Sequence, residues 1–114
     1  MKRICLLIMK PPQSSEDAER MCGLAMRARM EEKEVAVYLL GNGVYCSKSG
    51  QKGSMGGSLR AALKQGVTIR AGEADLMARG ITTEQVEPGV EILPDLEDTF
   101  VEDIMEKADR VVTW

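Results

Sequence analysis

The tract Val35-Ala36-Val37-Tyr38-Leu39-Leu40-Gly41-Asn42-Gly43-Val44-Tyr45-Cys46-Ser47-Lys48-Ser49-Gly50-Gln51-Lys52-Gly53-Ser54-Met55-Gly56-Gly57 runs an unbroken apolar stretch straight into a glycine-rich one. Six consecutive apolar residues, several β-branched or aromatic, read as a strand buried on both faces, the pattern of a parallel sheet. The glycine-rich half reads as a loop, because glycine lets the backbone take left-handed conformations and approach a ligand or another chain closely. Residues 58–64 then read as a short helix with Leu59, Ala62 and Leu63 inward and Gly66 as its C-terminal stop.

The same alternation extends outward on both sides. Before the tract, residues 4–9 form another continuous apolar run. A loop with Pro11 and Pro12 follows. Ser14 or Ser15 can cap a helix whose positive end suits Glu16, Asp17 and Glu19. Ala18, Met21, Cys22, Ala25 and Ala28 recur on one face of that helix, which is expected to end near Glu32. After the tract, residues 67–69 begin a third strand, 73–78 a helical turn, and 81–88 a polar turn region. Residues 90–93 form a fourth strand. Pro94 suits the first position of a helix with Leu96, Phe100, Ile104 and Ala108 inward and Glu97, Asp98, Glu102, Asp103 and Glu106 outward. Residues 111–113 give a last strand. Strand and helix alternate throughout, which predicts a three-layer α/β/α sandwich around a largely parallel five-stranded sheet. Ligands and chemistry gather beyond the carboxyl ends of such strands, where the loops after Met9, Leu40 and Ala71 would lie.

Composition narrows the function. The 114 residues suit one domain with an adequate core. The sequence pI near 5.0 gives no reason to expect direct nucleic-acid binding. Three cysteines, an odd number, argue against a disulfide framework and fit a cytoplasmic protein. No apolar run approaches the roughly 18 residues that span a bilayer, so no membrane partner is expected. Histidine is absent, which removes Cys-His and Ser-His pairs and most zinc sites; no metal or cofactor is expected. Residues 35–72 contain no Asp or Glu but carry Lys48, Lys52, Arg60, Lys64 and Arg70, a local basic region in a chain of net charge −3.

Cys46 is the candidate nucleophile. Nearby cations and backbone N–H groups lower a thiol's pKa, and Lys48, Lys52 and the glycine tract can supply both. The competing reading is an incidental thiol in a loop. Cys5 and Cys22 lie on apolar faces, where cysteine acts as a small hydrophobe. Phosphate-loop motifs fail on spacing: Asn42 and Ser47 stand where a Walker loop needs glycine, and Cys46 stands at the third glycine of a dinucleotide fingerprint. Gly41, Asn42, Gly43, Tyr45, Ser47, Lys48 and Lys52 still form a candidate anion- or ligand-binding loop. The acidic stretch 91–109 reads as the solvated face of a helix.

In order, residues 4–9, Val37-Tyr38-Leu39-Leu40 with Gly43-Val44-Tyr45, Gln65-Gly66-Val67, Ala78-Arg79-Gly80-Ile81, Gly89-Val90-Glu91 and the closing Ala108-Asp109-Arg110-Val111-Val112-Thr113-Trp114 resemble the DsrE family of small sulfur-relay proteins, including its TusD-like and YchN-like branches. The resemblance covers almost the whole chain. It implies an α/β/α sandwich that assembles as a trimer or hexamer, alone or with sister subunits, and exchanges sulfur with donor and acceptor proteins. It also implies a persulfide-bearing cysteine just after the third strand. Gly72 stands at that position here, and Asp75 stands where some members carry a second cysteine. Two readings follow. Cys46 takes over as the persulfide carrier, or the chain is a non-catalytic oligomeric subunit or small-anion or nucleotide-binding protein of the same fold.

Overall fold

The computed structural model describes residues 2–11, 17–49 and 54–113. Five strands, Arg3–Ile8 (β1), Glu34–Leu39 (β2), Thr68–Gly72 (β3), Glu91–Leu93 (β4) and Arg110–Thr113 (β5), form one sheet in the order β4-β3-β2-β1-β5. Every pairing is parallel, with Leu6 opposite both Val37 and Val112 and with Val37 opposite Ile69. The helices are Asp17–Met30 (α1), Ser54–Lys64 (α2), Glu73–Ala78 (α3) and Leu96–Glu106 (α4). Among the described residues, no helix is long and apolar enough to cross a membrane.

The two central strands are apolar on both sides because both sides are covered. Leu6, Ile8, Val37, Leu39 and Ile69 pack with Met21, Cys22, Ala25 and Ala28 of α1 and with Leu59 and Ala62 of α2. Cys5, Leu7, Ala36, Tyr38 and Leu40 pack on the opposite face with Leu96, Phe100 and Ile104 of α4. Each fully buried large aliphatic side chain contributes about 1.5–3 kcal/mol relative to exposure. The result is the three-layer sandwich expected from the alternation, with α1 and α2 on one face and α4 on the other.

Three local expectations change. The two described ends of the glycine tract are helical: Gly41–Ser47 is a 3-10 helix and α2 begins at Ser54, so Gly56 and Gly57 lie in a helix. Pro94 precedes α4, which starts at Leu96. Asp103 faces inward, only 3% exposed, because it lies one turn beyond Phe100 on the core stripe of α4. The expected cap at Ser14 or Ser15 and the acidic start at Glu16 lie outside the described residues.

Candidate functional site at the carboxyl edge of the sheet

Leu40 leaves β2 with its N–H on the Ile8 carbonyl at 3.2 Å. Gly41 then takes φ +55°, a left-handed value that favours glycine. Gly43 packs onto the end of β1 so tightly that a Cβ there would lie 2.1 Å from the Ile8 carbonyl oxygen. These two glycines are thus explained by backbone shape and close packing, without a ligand. Within the 3-10 helix Gly41–Ser47, Val44, Cys46 and Ser47 are buried, and Tyr45 packs partly buried against the core.

Among the described residues, three N–H groups of the tract that could meet an anion are already occupied. Gly41 donates to Asp75 Oδ2 at 2.9 Å, Gly43 to the Leu40 carbonyl at 2.9 Å, and Lys48 to the Tyr45 carbonyl at 3.4 Å. Ser47 Oγ donates to the Val44 carbonyl at 2.6 Å. Lys48 also pairs as an isolated bridge with Val86, and Ser49 N–H and Glu87 N–H each reach across that seam at 2.7 Å. The segment is pinned on one side by α3 and on the other by residues 85–87. Lys52 lies outside the described residues.

Cys46 is placed differently from an activated nucleophile. It is fully buried, and its thiol lies 3.7 Å from the Lys10 carbonyl oxygen, which accepts its hydrogen. Burial, reinforced by the neighbouring Cys22, pushes the Cys46 thiol up to about 12. A thiol held there is neutral at pH 7, and the thiolate is the reactive form. The sequence placed two lysines near it in the chain; desolvation dominates in three dimensions.

The group that organises this edge is Asp75, which the sequence left unassigned except as a substituted cysteine position. Its carboxylate accepts from Gly41 N–H and from Arg79 Nη1 at 3.4 Å. Arg79 Nε in turn donates to Asn42 Oδ1 at 2.9 Å. The anion held by the start of the glycine tract is therefore the chain's own Asp75. Gly72, the last residue of β3, lies directly beside it: a Cβ on Gly72 would meet Asp75 Oδ2 at 3.3 Å and Leu96 at 3.6 Å. Gly41, Asn42, Gly72, Asp75 and Arg79 come together here, while Tyr45 and Ser47 turn into the packing.

A second polar cluster lies under α4. Asp103 accepts from Arg3 Nε at 2.7 Å, from Arg3 Nη2 at 2.6 Å and from the Tyr38 hydroxyl. Arg70 Nη1 donates to the Tyr38 oxygen at 2.7 Å, and Glu34 and Glu91 close the outer ends on Arg3 and Arg70. Burial acts to raise the Asp103 pKa, but the hydrogen bonds from Arg3 and Tyr38 outweigh it and hold the carboxylate well below its usual range. Burial and the bond to Asp103 push Tyr38 up to about 12. Burial also pushes the Cys5 thiol up to about 12. Among the described residues no buried side-chain nitrogen or oxygen lacks a partner, and this cluster docks α4 onto the sheet. Two arginines and a tyrosine on adjacent strands facing Asp103 at an inward helical position were the signal for it.

A protein-family model described as DsrH like protein matches residues 19–110. The YchN protein of E. coli shares the fold with a TM-score of 0.86 and 25% identity, each chain covered over 100% of its length. A protein of unknown function from Methanobacterium thermoautotrophicum superposes with a TM-score of 0.82 at 18% identity, again over 100% of both chains. A conserved protein from Bacteroides thetaiotaomicron gives 0.72 at 11% identity, covering 99% of this chain and 95% of the other. No curated protein matches the sequence.

Proposed function

Because the chain belongs to the DsrH-like family, we propose that it is a subunit of a DsrE-type sulfur-relay assembly and does not itself hold the travelling sulfur. The DsrH-like family is a different member of the DsrE-like superfamily from the TusD-like and YchN-like branches that the sequence resembles. The observation that carries the proposal is the end of β3. The position where the resemblance puts a persulfide-bearing cysteine is Gly72, and the space beside it holds the Asp75 carboxylate. A carboxylate next to a persulfide anion would oppose it by like-charge repulsion. The chain then acts by positioning: it contributes a rigid sheet edge to an assembly whose thiols come from sister subunits.

A second reading keeps the sulfur on Cys46. What favours it is position: the Cys46 thiol reaches the Lys10 carbonyl on the loop leaving β1, the strand where the sheet order reverses and ligands gather in such folds. That reading requires the tight helix to lift, because the thiol is buried. Native mass spectrometry of the chain alone and after co-expression with a thiol-bearing DsrE-type subunit tests the first reading. A mixed assembly is expected. Failure to enter any assembly with such a subunit, in the cytoplasmic co-expression or after mixing, would overturn it.

A further inference from the structure

A cavity of about 350 Å³ opens between α3, the turn at residues 80–83 and β4. Its walls are Leu76, Met77, Ile81 and Ile92, and its rim carries Thr82, Thr83 and Glu73. The volume lies within the range of small-molecule sites, roughly 300–1,000 Å³. Leu76 and Ile81 are buried and fix the floor, while Met77 is 72% exposed and forms a flexible wall able to fit irregular ligands. Glu73 is the one charged residue of the lining, and among the described residues its carboxylate makes no hydrogen bond or ion pair. This contrasts with Asp75 two residues on, which is fully engaged with Gly41 and Arg79.

We propose that this cavity binds a small organic cation, an amine with an apolar body, whose ammonium group meets Glu73 while its body lies on Leu76, Met77, Ile81 and Ile92. An apolar cleft with one carboxylate at its mouth, unpaired among the described residues, selects that chemistry over an anion, which Glu73 repels, and over a purely polar ligand, which the walls cannot hydrogen-bond. Glu73 follows Gly72 directly, so a bound cation sits next to the sheet edge described above. The inference stands apart from the relay reading, since it uses no group of the Asp75 network.

Benzylammonium and its neutral counterpart benzyl alcohol are the probes, followed by amide chemical shifts of the full chain. Saturable benzylammonium shifts confined to Glu73, Met77, Gly80 through Thr83 and Ile92 are expected. Glu73→Gln weakens benzylammonium roughly two- to fivefold, the size of a solvent-exposed charge pair, and leaves benzyl alcohol unchanged. Met77→Ala, at an exposed position that does not hold the fold, weakens both probes. Absence of saturable shifts at these residues overturns the proposal, as does a benzylammonium affinity that Glu73→Gln does not change.

Discussion

Replacing Gly72 with cysteine tests the proposal that Asp75 disfavours a sulfur anion at this edge. Gly72 has φ −80° and ψ 125°, ordinary extended backbone open to any residue. An added Cβ meets Asp75 Oδ2 at 3.3 Å and Leu96 at 3.6 Å, a tight but adjustable fit. Removing a strand glycine gains about 0.5–1 kcal/mol of conformational entropy, so Gly72→Cys should change stability by less than about 1 kcal/mol. One C–S bond beyond a Cβ 3.3 Å from Asp75 Oδ2, the new sulfur lies on the order of 5 Å from that carboxylate, close enough for direct charge–charge interaction. Two charges that close interact by about 1–3 kcal/mol between water and an effective dielectric of ~20. The thiol pKa should therefore rise about one to two units above the free-cysteine value of ~8.5. Adding Asp75→Asn removes the repulsion but keeps the shape, and should lower that pKa by at least about one unit. The assay is the pH dependence of iodoacetamide labelling at the new thiol, with Cys5, Cys22 and Cys46 replaced by serine or alanine. A Gly72→Cys thiol that titrates below the free value, unaffected by Asp75→Asn, would refute the account of Asp75 as an occupying anion.

Other outcomes follow from the same geometry. Gly43→Ala should destabilise the protein by about 3 kcal/mol or more, seen in urea unfolding, because the methyl group meets the Ile8 backbone at 2.1 Å. Asp103→Asn should cost about 2–4 kcal/mol in the same assay by leaving Arg3 without its buried charge partner, whereas a paired Arg3→Met, Asp103→Leu variant should recover much of that loss. Asp103 has a folded pKa below its unfolded value of ~3.9, so its contribution is present above about pH 4 and falls away as pH drops further. The urea midpoint should therefore drop between pH 6 and pH 3, and by less in Asp103→Asn.

The parallel sheet was legible because β1 and β2 are buried on both faces, which forces continuous apolar runs at residues 4–8 and 35–39. The inner face of α4 was legible for the same reason at Leu96, Phe100 and Ile104. Asp103 was misplaced because charge was read as exposure; its partners Arg3 and Arg70 sit on other strands, and only the sheet order brings them under one helix. The glycine tract was read as a ligand loop because glycine permits close approach without stating to what. At Gly43 the approaching group is the β1 backbone, and at Gly41 the anion is Asp75. At Cys46 neighbours in sequence suggested activation, whereas the structure buries the thiol, and burial raises its pKa.

Intact-protein and peptide mass spectrometry after exposure of the native chain to a persulfide donor tests the central claim most directly, with Cys46→Ser as control. The account predicts no stoichiometric sulfur gain on Cys46 in the folded chain, with sulfur appearing on a thiol-bearing partner when one is present. A full sulfur gain on Cys46 at neutral pH, lost in Cys46→Ser, would contradict it and make this chain a carrier.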